Sequence, residues 1–452
     1  MADLLRLLAW CACVIIIGWS VLSLISRKNI FSLAETAALS YGIGLGLMSL
    51  EMAALSIFNI KFSVLSIMIF WVPLIVWAAP AALKRLKMDR PISKMMPLSA
   101  LEKFFIFGIS LEAAYTFFKA LVRPIEAYDA IAIYGLKSKI FYLAGGVGHN
   151  FFSAFKDFVP HIEYPLLIPL AETSVYTFLG SLNDILVKAI FPLFYLSLLI
   201  LVYSLARRFI ERKPSLLVTF LLATIPQLGD FATNGYADIA FTFYCSSSIF
   251  YLFLWARERK GTLLIISFVM SILAMWTKSE GLMFAGINIL LTFIYMLYER
   301  KFVKNALLYS VMLMIIAVAY VALVSKLSGT LPQGDFSKPA AAGKEVNLAD
   351  IRRIFTILYE YQIQLFGPKK WNMIWVLFLA GFFLCLKNIF SKNMAMLTFA
   401  IILAFCGYTA VYMISPDLSW HLSKSASRVF IHFLPVVVLW LALIYKEKQL
   451  EI

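Results

Sequence analysis

Two carboxylates open the most polar stretch of an otherwise apolar chain. Glu126 and Asp129 begin a helical pattern in which Ile133, Leu136 and Ile140 share one face. Carboxylates in such a position can exchange protons with a substrate as general acids or bases. They also suit the start of an interfacial helix, where a negative side chain gains roughly 0.3–1 kcal/mol. The spacing alone leaves both interpretations open.

The other polar candidates stand singly or in pairs between apolar runs. They are His161 and Glu163, Asp238, Lys278 and Glu280, Arg352 and Arg353, and His421, Lys424 and Arg428. For the acids the simpler alternatives are helix starts and pairing with a nearby lysine, and for the cations the alternative is contact with lipid headgroups. A metal site made from His161, Glu163 and His421 has weak support, because these spacings match no ligand motif. We therefore predict no cofactor, and a divalent metal is an alternative that we do not favour.

The composition excludes a water-soluble globule. Of 452 residues 62% are hydrophobic and 14% charged, which is too little charge for a soluble surface of this size. The net charge of +15 comes from short basic clusters between apolar runs, as expected for cytoplasmic loops, so we predict no binding to nucleic acid. All five cysteines lie inside apolar runs without metal or disulfide spacing. The chain is predicted to be an all-α, polytopic membrane protein.

The basic clusters predict a topology with the N-terminus outside and the C-terminus inside. A spanning helix needs roughly 20 apolar residues. Thirteen spans are predicted, near 3–25, 31–57, 63–83, 99–121, 184–206, 214–230, 237–256, 262–277, 281–298, 305–326, 371–386, 393–414 and 429–445. We expect no soluble domain.

The candidates then lie in or beside the extracytoplasmic segments 121–183, 231–236, 278–280, 327–370 and 415–428, of which 121–183 and 327–370 are large loops. In the first loop, an apolar stretch from Glu163 to Gly180 contains two prolines and Glu172, so we expect a helix that dips into the outer leaflet. In the second loop, Asn347 is the predicted N-cap of an amphipathic helix that lies on lipid.

Five segments in this order resemble the GT-C superfamily of integral-membrane glycosyltransferases, of the protein mannosyltransferase and aminoarabinose transferase type. They are E-A-Y-D-A-I-A-I-Y-G-L-K-S-K, H-I-E-Y-P-L-L-I-P-L, N-G-Y-A-D-I-A, W-T-K-S-E-G and H-L-S-K-S-A-S-R. The resemblance covers roughly residues 99–446 as a catalytic membrane core. Residues 1–98 are then additional N-terminal transmembrane helices whose purpose the sequence does not indicate.

The resemblance implies a sugar transfer from a polyprenyl-phosphate carrier to a glycan, lipid or protein acceptor. Asp129 matches the acid that acts as base in the first outer loop of that family, and inverting transfer of a hexose or pentose is expected. The family often has an adjacent acidic pair or D-x-D, whereas this chain has E-x-x-D, so the division of work between Glu126 and Asp129 stays open. Glu126 and Asp238 would orient the substrate.

In such a reaction, cationic side chains would stabilise the negative charge of the leaving phosphate. Arg428 is the first candidate, because arginine binds phosphate oxygens in bidentate fashion and this residue adjoins the last span. Lys278 or the pair Arg352 and Arg353 would assist, whereas His161, Glu163, His421 and Lys424 could form hydrogen bonds to sugar or phosphate.

The expected location is the plasma (inner) membrane, with the catalytic loops outside and membrane lipids as neighbours. A polytopic transporter or a lipid-carrier flippase is the alternative from another class. It is less favoured because the ionisable residues gather in outer loops and not at the bilayer midplane. A glycan polymerase or ligase with a lipid-diphosphate donor is an enzymatic alternative that the phosphate-binding residues do not exclude.

Overall fold

A computed structural model describes residues 1–26, 30–88, 97–148, 150–299, 303–329 and 350–449. Within these ranges the chain is helical and contains no strand, which confirms the all-α class. The helices are α1 (Ala2–Ile25), α2 (Leu33–Ile57), α3 (Val64–Ile69), α4 (Trp71–Met88), α5 (Ala100–Leu121), α6 (Leu136–Ala144), α7 (Phe151–Ala154), α8 (Leu167–Leu179), α9 (Ile190–Ala206), α10 (Arg212–Ala223), α11 (Pro226–Phe231), α12 (Asp238–Glu258), α13 (Gly261–Thr277), α14 (Gly281–Tyr298), α15 (Val303–Ser328), α16 (Ile351–Leu365), α17 (Pro368–Trp371), α18 (Ile374–Leu384), α19 (Ala395–Met413), α20 (Leu418–Val429) and α21 (Leu434–Gln449).

The predicted number of thirteen spans is not confirmed. Among the described residues, eight helices are long and apolar enough to cross a membrane, and a bent pair makes a ninth. Three apolar helices, α8, α13 and α18, are shorter than the usual span. The doubtful predicted span 262–277 corresponds to α13, which has 17 residues. The predicted dipping segment contains α8, which has 13 residues.

Prolines explain where predicted continuous spans are interrupted. The predicted span 63–83 is divided between α3 and α4, with Pro73 in the first turn of α4. The predicted span 214–230 is divided between α10 and α11, just before Pro226. At the end of the chain, Leu418–His432 and Leu434–Lys446 meet at an angle of 48°, next to Pro435. Proline lacks an amide donor and is tolerated in the first turn of a helix, so in each case a new helix begins at the proline or within two residues before it.

The amphipathic helix of the second loop begins later than its predicted cap. It begins at Ile351, and the side chain of Asp350 accepts a hydrogen bond from the Arg352 amide at 3.0 Å. The predicted N-cap, Asn347, lies outside the described residues.

The chain divides into two compact units. The first comprises Met1–Ala223 and Gly229–Phe243, and the second comprises Thr224–Leu228 and Tyr244–Ile452.

The first unit is built on a close crossing of α1 and α2. Any Cβ at Gly44 would lie 1.9 Å from the carbonyl oxygen of Val14, and one at Gly18 would lie 1.9 Å from that of Ser40. The two backbones therefore touch through glycine, as is common in membrane helices. Trp10 of α1 also donates its indole hydrogen to Ser174 of α8 at 2.8 Å, which attaches the first loop to these helices.

The second unit has a buried polar network among its spans. The Asn288 amide donates to the hydroxyls of Ser248 and Ser271, each at 2.9 Å. The hydroxyls of Tyr309 and Ser267 lie 3.0 Å apart. These bonds join α12, α13, α14 and α15, and such bonds replace the hydrophobic driving force that lipid does not provide between helices.

We expect the substitution Gly44→Ala to lower the thermal unfolding midpoint of the protein in detergent. The added methyl group must separate α1 from α2, and overpacking of this kind costs about 1–3 kcal/mol. Gly286→Ala in α14 is the matched control, because a Cβ there meets no atom within 4 Å. It should leave the midpoint unchanged or raise it, since alanine favours helix. Equal midpoints for wild type and Gly44→Ala would show that the crossing is not tight.

Candidate active site

Asp129 lies where the first outer loop enters a helix with unusual winding. A π-helical turn, Ala130–Gly135, follows directly and continues as α6. Such turns are rare and are found frequently at functional sites. Asp129 is half-buried, whereas Glu126 is exposed and lies 3.9 Å from Arg123. The two predicted carboxylates thus have different surroundings, which the helical spacing did not predict.

The segment N-G-Y-A-D packs against this π-helical turn. Gly235 has a φ of +87°, which favours glycine, and a Cβ there would lie 2.9 Å from the Cβ of Ala130. Three residues later, Asp238 begins α12 and is 1% exposed. The fold therefore brings two of the predicted segments together, although they are more than a hundred residues apart.

Lys137 is a buried cation that the sequence analysis did not select. Its ammonium group donates to the carbonyl oxygens of His161 at 2.7 Å, Ile162 at 3.2 Å and Tyr164 at 3.4 Å. Burial lowers the pKa of Lys137 to about 7, while the charge of Glu163 acts to raise it. Lys137 thus fixes the turn that carries His161 and Glu163.

His161 and Glu163 themselves form a pair in this turn. His161 Nδ1 lies 3.6 Å from Glu163 Oε1, and the imidazole stacks on Tyr164 with ring centroids 4.6 Å apart. Burial opposes ionisation of Glu163, but His161 and Lys137 lower the pKa of this carboxyl overall. Both predicted residues therefore belong to one ionic cluster with Lys137.

Lys188 is another missed candidate of the first unit. It is 4% exposed, at the start of a span, within electrostatic range of Glu126 and Arg123. A lysine at the end of an apolar run often marks function, and that signal was present in the sequence.

In the second unit, Lys278, Glu280 and Arg428 come together as a cluster with His432. Lys278 is 2% exposed, and its Nζ lies 3.1 Å from Glu280 Oε1. Burial raises the pKa of Glu280, but the charges of Lys278, His432 and Arg428 outweigh this and lower it. We call these four side chains the Glu280 cluster. Its two permanent cations, Lys278 and Arg428, outnumber its one carboxylate.

His432 was not selected from the sequence. It is fully buried, its Nδ1 bonds to the hydroxyl of Tyr408, and its carbonyl oxygen accepts from Ser246 Oγ at 3.2 Å. The signal that could have selected His432 is its position as an ionisable side chain within the last apolar run.

The hydroxyls of Tyr412 and Ser425 are 2.7 Å apart, and Tyr412 is in electrostatic contact with both Arg428 and Glu280. This bond ties α20, which carries Arg428, to α19. The Ser425 hydroxyl also donates to the carbonyl oxygen of His421 at 2.6 Å. The helix that carries Arg428 is therefore fixed to α19.

Three other predicted cations, Arg352, Arg353 and Lys424, are not among the side chains around Glu280. Arg353 donates to the carbonyl oxygens of Ser415 at 2.5 Å and Tyr412 at 3.3 Å, so its guanidinium supports the end of α19. Arg352 is 90% exposed and lies 3.4 Å from Asp350. Lys424 is exposed on α20. Of the predicted phosphate ligands, only Lys278 and Arg428 share a cluster.

His421 is a buried member of the same helix. It is 6% exposed, and its Nδ1 is hydrogen-bonded to the hydroxyl of Ser415. No group of three or more histidine, cysteine or acidic residues in the described ranges could hold a metal ion. Metal independence itself stays a prediction.

An apolar cavity of about 690 Å³ lies between α16, α18 and α19 of the second unit. Its walls include Leu358, Tyr361, Trp375, Phe378, Phe405 and Thr409. The rings of Tyr361 and Tyr412 have centroids 6.1 Å apart, so the cavity adjoins the side chains that hold Arg428. The apolar lining of this cavity suits a long apolar chain.

Comparisons with known proteins agree with the resemblance found in the sequence. Residues 165–324 match the family model described as dolichyl-phosphate-mannose-protein mannosyltransferase. Among solved structures, the chain resembles the crystal structure of ArnT from Cupriavidus metallidurans bound to undecaprenyl phosphate, with a TM-score of 0.53 and 14% identity. The likeness covers 77% of this chain and 61% of that chain, so this chain spans less than two thirds of that protein. A search of curated proteins gives no match.

The structural likeness confirms the helical membrane fold that the resemblance implies, and the family-model match covers about a third of the chain.

We expect Glu280→Gln to reduce the pH dependence of stability. The pKa of Glu280 in the folded protein is below its ordinary value of 4.5, so the ionised carboxylate stabilises the fold above that value. This contribution is lost as the pH falls through the lowered pKa. The unfolding midpoints of wild type and variant should differ at about pH 7 and converge as the pH falls below 4.5 and through the lowered pKa.

Asp157→Asn, which changes an exposed carboxylate, is the control for that measurement. Its midpoint should follow that of wild type at every pH. A Glu280→Gln curve parallel to the wild-type curve would contradict the role of Glu280 as an ionised partner.

Proposed function

We propose that this protein is a membrane glycosyltransferase that transfers a sugar from a polyprenyl-phosphate carrier to a glycan, lipid or protein acceptor. The observation that carries the proposal is the Glu280 cluster together with the apolar cavity of the second unit, which are linked through the neighbouring rings of Tyr361 and Tyr412. An isoprenoid phosphate needs an apolar space for its tail and cations for its headgroup. The fold similarity to ArnT, whose crystal structure contains undecaprenyl phosphate, supports this choice.

Lys278 and Arg428 are assigned to the phosphate. The bond from the anomeric carbon to the phosphate oxygen breaks during transfer, and the electron pair stays on the leaving polyprenyl phosphate. Fixed cations stabilise this developing charge without reorganisation of water. Glu280 is the ionised partner of both cations in the absence of substrate, since it lies 3.1 Å from Lys278 and interacts electrostatically with Arg428.

Asp129 is assigned as the base. The acceptor oxygen forms a bond to the anomeric carbon and gives up its proton, which the carboxylate of Asp129 takes. Attack from the face opposite to the leaving phosphate gives inversion. The half-buried position beside a π-helical turn supports Asp129 over the exposed Glu126.

Asp238 and Glu126 are assigned to substrate orientation. Asp238 is supported by its burial and by the packing of its segment on the π-helical turn. His161 and Glu163 are assigned to the stability of the loop, because Lys137 binds the carbonyl oxygens around them. The sugar is a hexose or a pentose.

The catalytic loops are proposed to face outward from the plasma membrane. Lys278 and Glu280 lie where α13 ends and α14 begins, whereas Arg259 and Lys260 lie where α12 ends and α13 begins. The positive-inside rule assigns the second end to the cytoplasm. Catalysis is proposed to need no metal, because arginine and lysine can neutralise a monophosphate.

Asp129→Asn should lower transfer from a labelled polyprenyl-phosphate sugar by about 100-fold or more, because general-base catalysis typically contributes this much. The measurement is formation of labelled product in membranes with equal protein levels. Asp157→Asn, in the same loop, should retain wild-type activity. Near-normal turnover of Asp129→Asn would reject the assigned base, and movement of the carrier without a new glycosidic bond would favour the transporter alternative.

Arg428→Gln should lower kcat/KM for the donor by about 10- to 100-fold, as expected for loss of a charge-assisted bond worth about 1.5–3 kcal/mol. Arg352→Gln is the matched control, because this arginine is 90% exposed. Arg428→Lys should recover part of the loss. Equal kinetics for the two glutamine variants would remove Arg428 from the site.

A further inference from the structure

The second unit has another cavity, which is lined by charged residues and lies at the ends of the spans that are distant from Lys278 and Glu280. It measures about 230 Å³ and lies where α12 and α14 end and α19 begins. Lys278 and Glu280 lie at the opposite ends of α13 and α14, so this cavity is at the other face of the membrane from the Glu280 cluster. The proposed reaction therefore does not account for it.

Three cations and one carboxylate line this cavity: Arg257, Arg259, Lys392 and Glu299. Glu299 Oε2 accepts from Arg259 Nη2 at 3.2 Å and from Lys392 Nζ at 3.0 Å. The charged side chains that line the cavity therefore carry a net charge of +2. An anion is the ligand that this charge distribution attracts.

Two of the cations are held in place by aromatic rings. The Arg259 guanidinium lies 4.6 Å from the centroid of the Tyr295 ring, and that of Arg257 lies 5.1 Å from the centroid of Phe253. The backbone of Arg259 has a φ of +61°, a strained conformation for a residue other than glycine, and such strain often occurs at ligand sites. Ordering of the side chains before binding reduces the entropy that a ligand must overcome.

The surroundings of the cavity indicate a ligand that is partly apolar. Ile294, Tyr298 and Met396 also line it. On the adjacent turn of α14, Phe293 and Leu297 are 48% and 85% exposed, a surface that suits lipid. A liquid water molecule takes roughly 30 Å³, so the cavity has room for a phosphate group and its nearest atoms.

We propose that this cavity binds the phosphate of an anionic phospholipid in the leaflet opposite to the candidate active site. Arg257 and Arg259 would contact the phosphate oxygens, for which guanidinium is well suited, and Lys392 would add a third donor at the rim. The fatty-acid chains would lie along the exposed side of α14. A soluble phosphate compound has the same chemistry and is the alternative source of the ligand.

The test uses the full protein in phosphatidylcholine nanodiscs that contain phosphatidylglycerol as the probe. Native mass spectrometry measures how much of each lipid stays bound after release. Wild type should retain phosphatidylglycerol over phosphatidylcholine, and Arg257→Gln combined with Lys392→Gln should lower this preference about tenfold, which corresponds to about 1.4 kcal/mol. Lys387→Gln is the matched control, because this lysine is exposed in the segment before α19 and does not line the cavity.

Arg257→Lys keeps the charge and separates loss of binding from loss of fold, since it should retain most of the preference. In discs of phosphatidylcholine alone, inorganic phosphate is added and the unfolding midpoint is measured. If phosphate raises the unfolding midpoint of wild type but not that of the double variant, the cavity binds phosphate from solution. The same lipid preference in wild type, double variant and Lys387→Gln, with no effect of phosphate, would overturn the proposal.

Discussion

A charge that leaves water must meet an opposite charge or enough hydrogen-bond partners, and this constraint governs the bundle. Arg208 lies 2.9 Å from the buried Glu35 at the start of α2. Arg212 lies 2.7 Å from Glu102 at the start of α5. In each case an acid that caps a membrane helix is paired with a cation more than a hundred residues away, so the ends of the helices are fixed by ion pairs while apolar residues fill the spans.

The same constraint gives the proposed catalytic groups a fixed environment. In the first unit, Lys139 and Tyr176 both bond to Asp184, at 2.7 and 3.0 Å, and Thr173 donates to the carbonyl oxygen of Ser138 at 3.1 Å. These bonds hold α6 against α8. Because α6 continues the π-helical turn that follows Asp129, polar contacts some distance from the carboxylate determine its position. A base held in this way needs little reorganisation when it receives a proton.

The second unit has a group of cations around one glutamate at each end of its spans. Lys278 after α13, Arg428 in α20 and His432 after α20 surround Glu280, and the same unit has a cavity that suits an isoprenoid tail. Around Glu299 the cations converge from the ends of α12 and from the segment before α19, next to exposed apolar side chains. In both sites a single carboxylate lies among a larger number of cations, and the proposed phosphate ligands would carry charge of the opposite sign.

The sequence by itself determined the class of protein, because spans of apolar residues and the basic clusters between them follow from local composition. It also carried the resemblance to the GT-C superfamily through the order of short motifs, and it selected Asp129, Lys278 and Arg428 from their types. Only the tertiary structure decided that Lys278 and Arg428 share a cluster with His432, that Arg353 supports a helix end, and that Gly235 packs on Ala130. Helical periodicity predicts neighbours three or four residues apart. Contacts between residues 150 positions apart depend on how whole helices pack, and no local pattern encodes that.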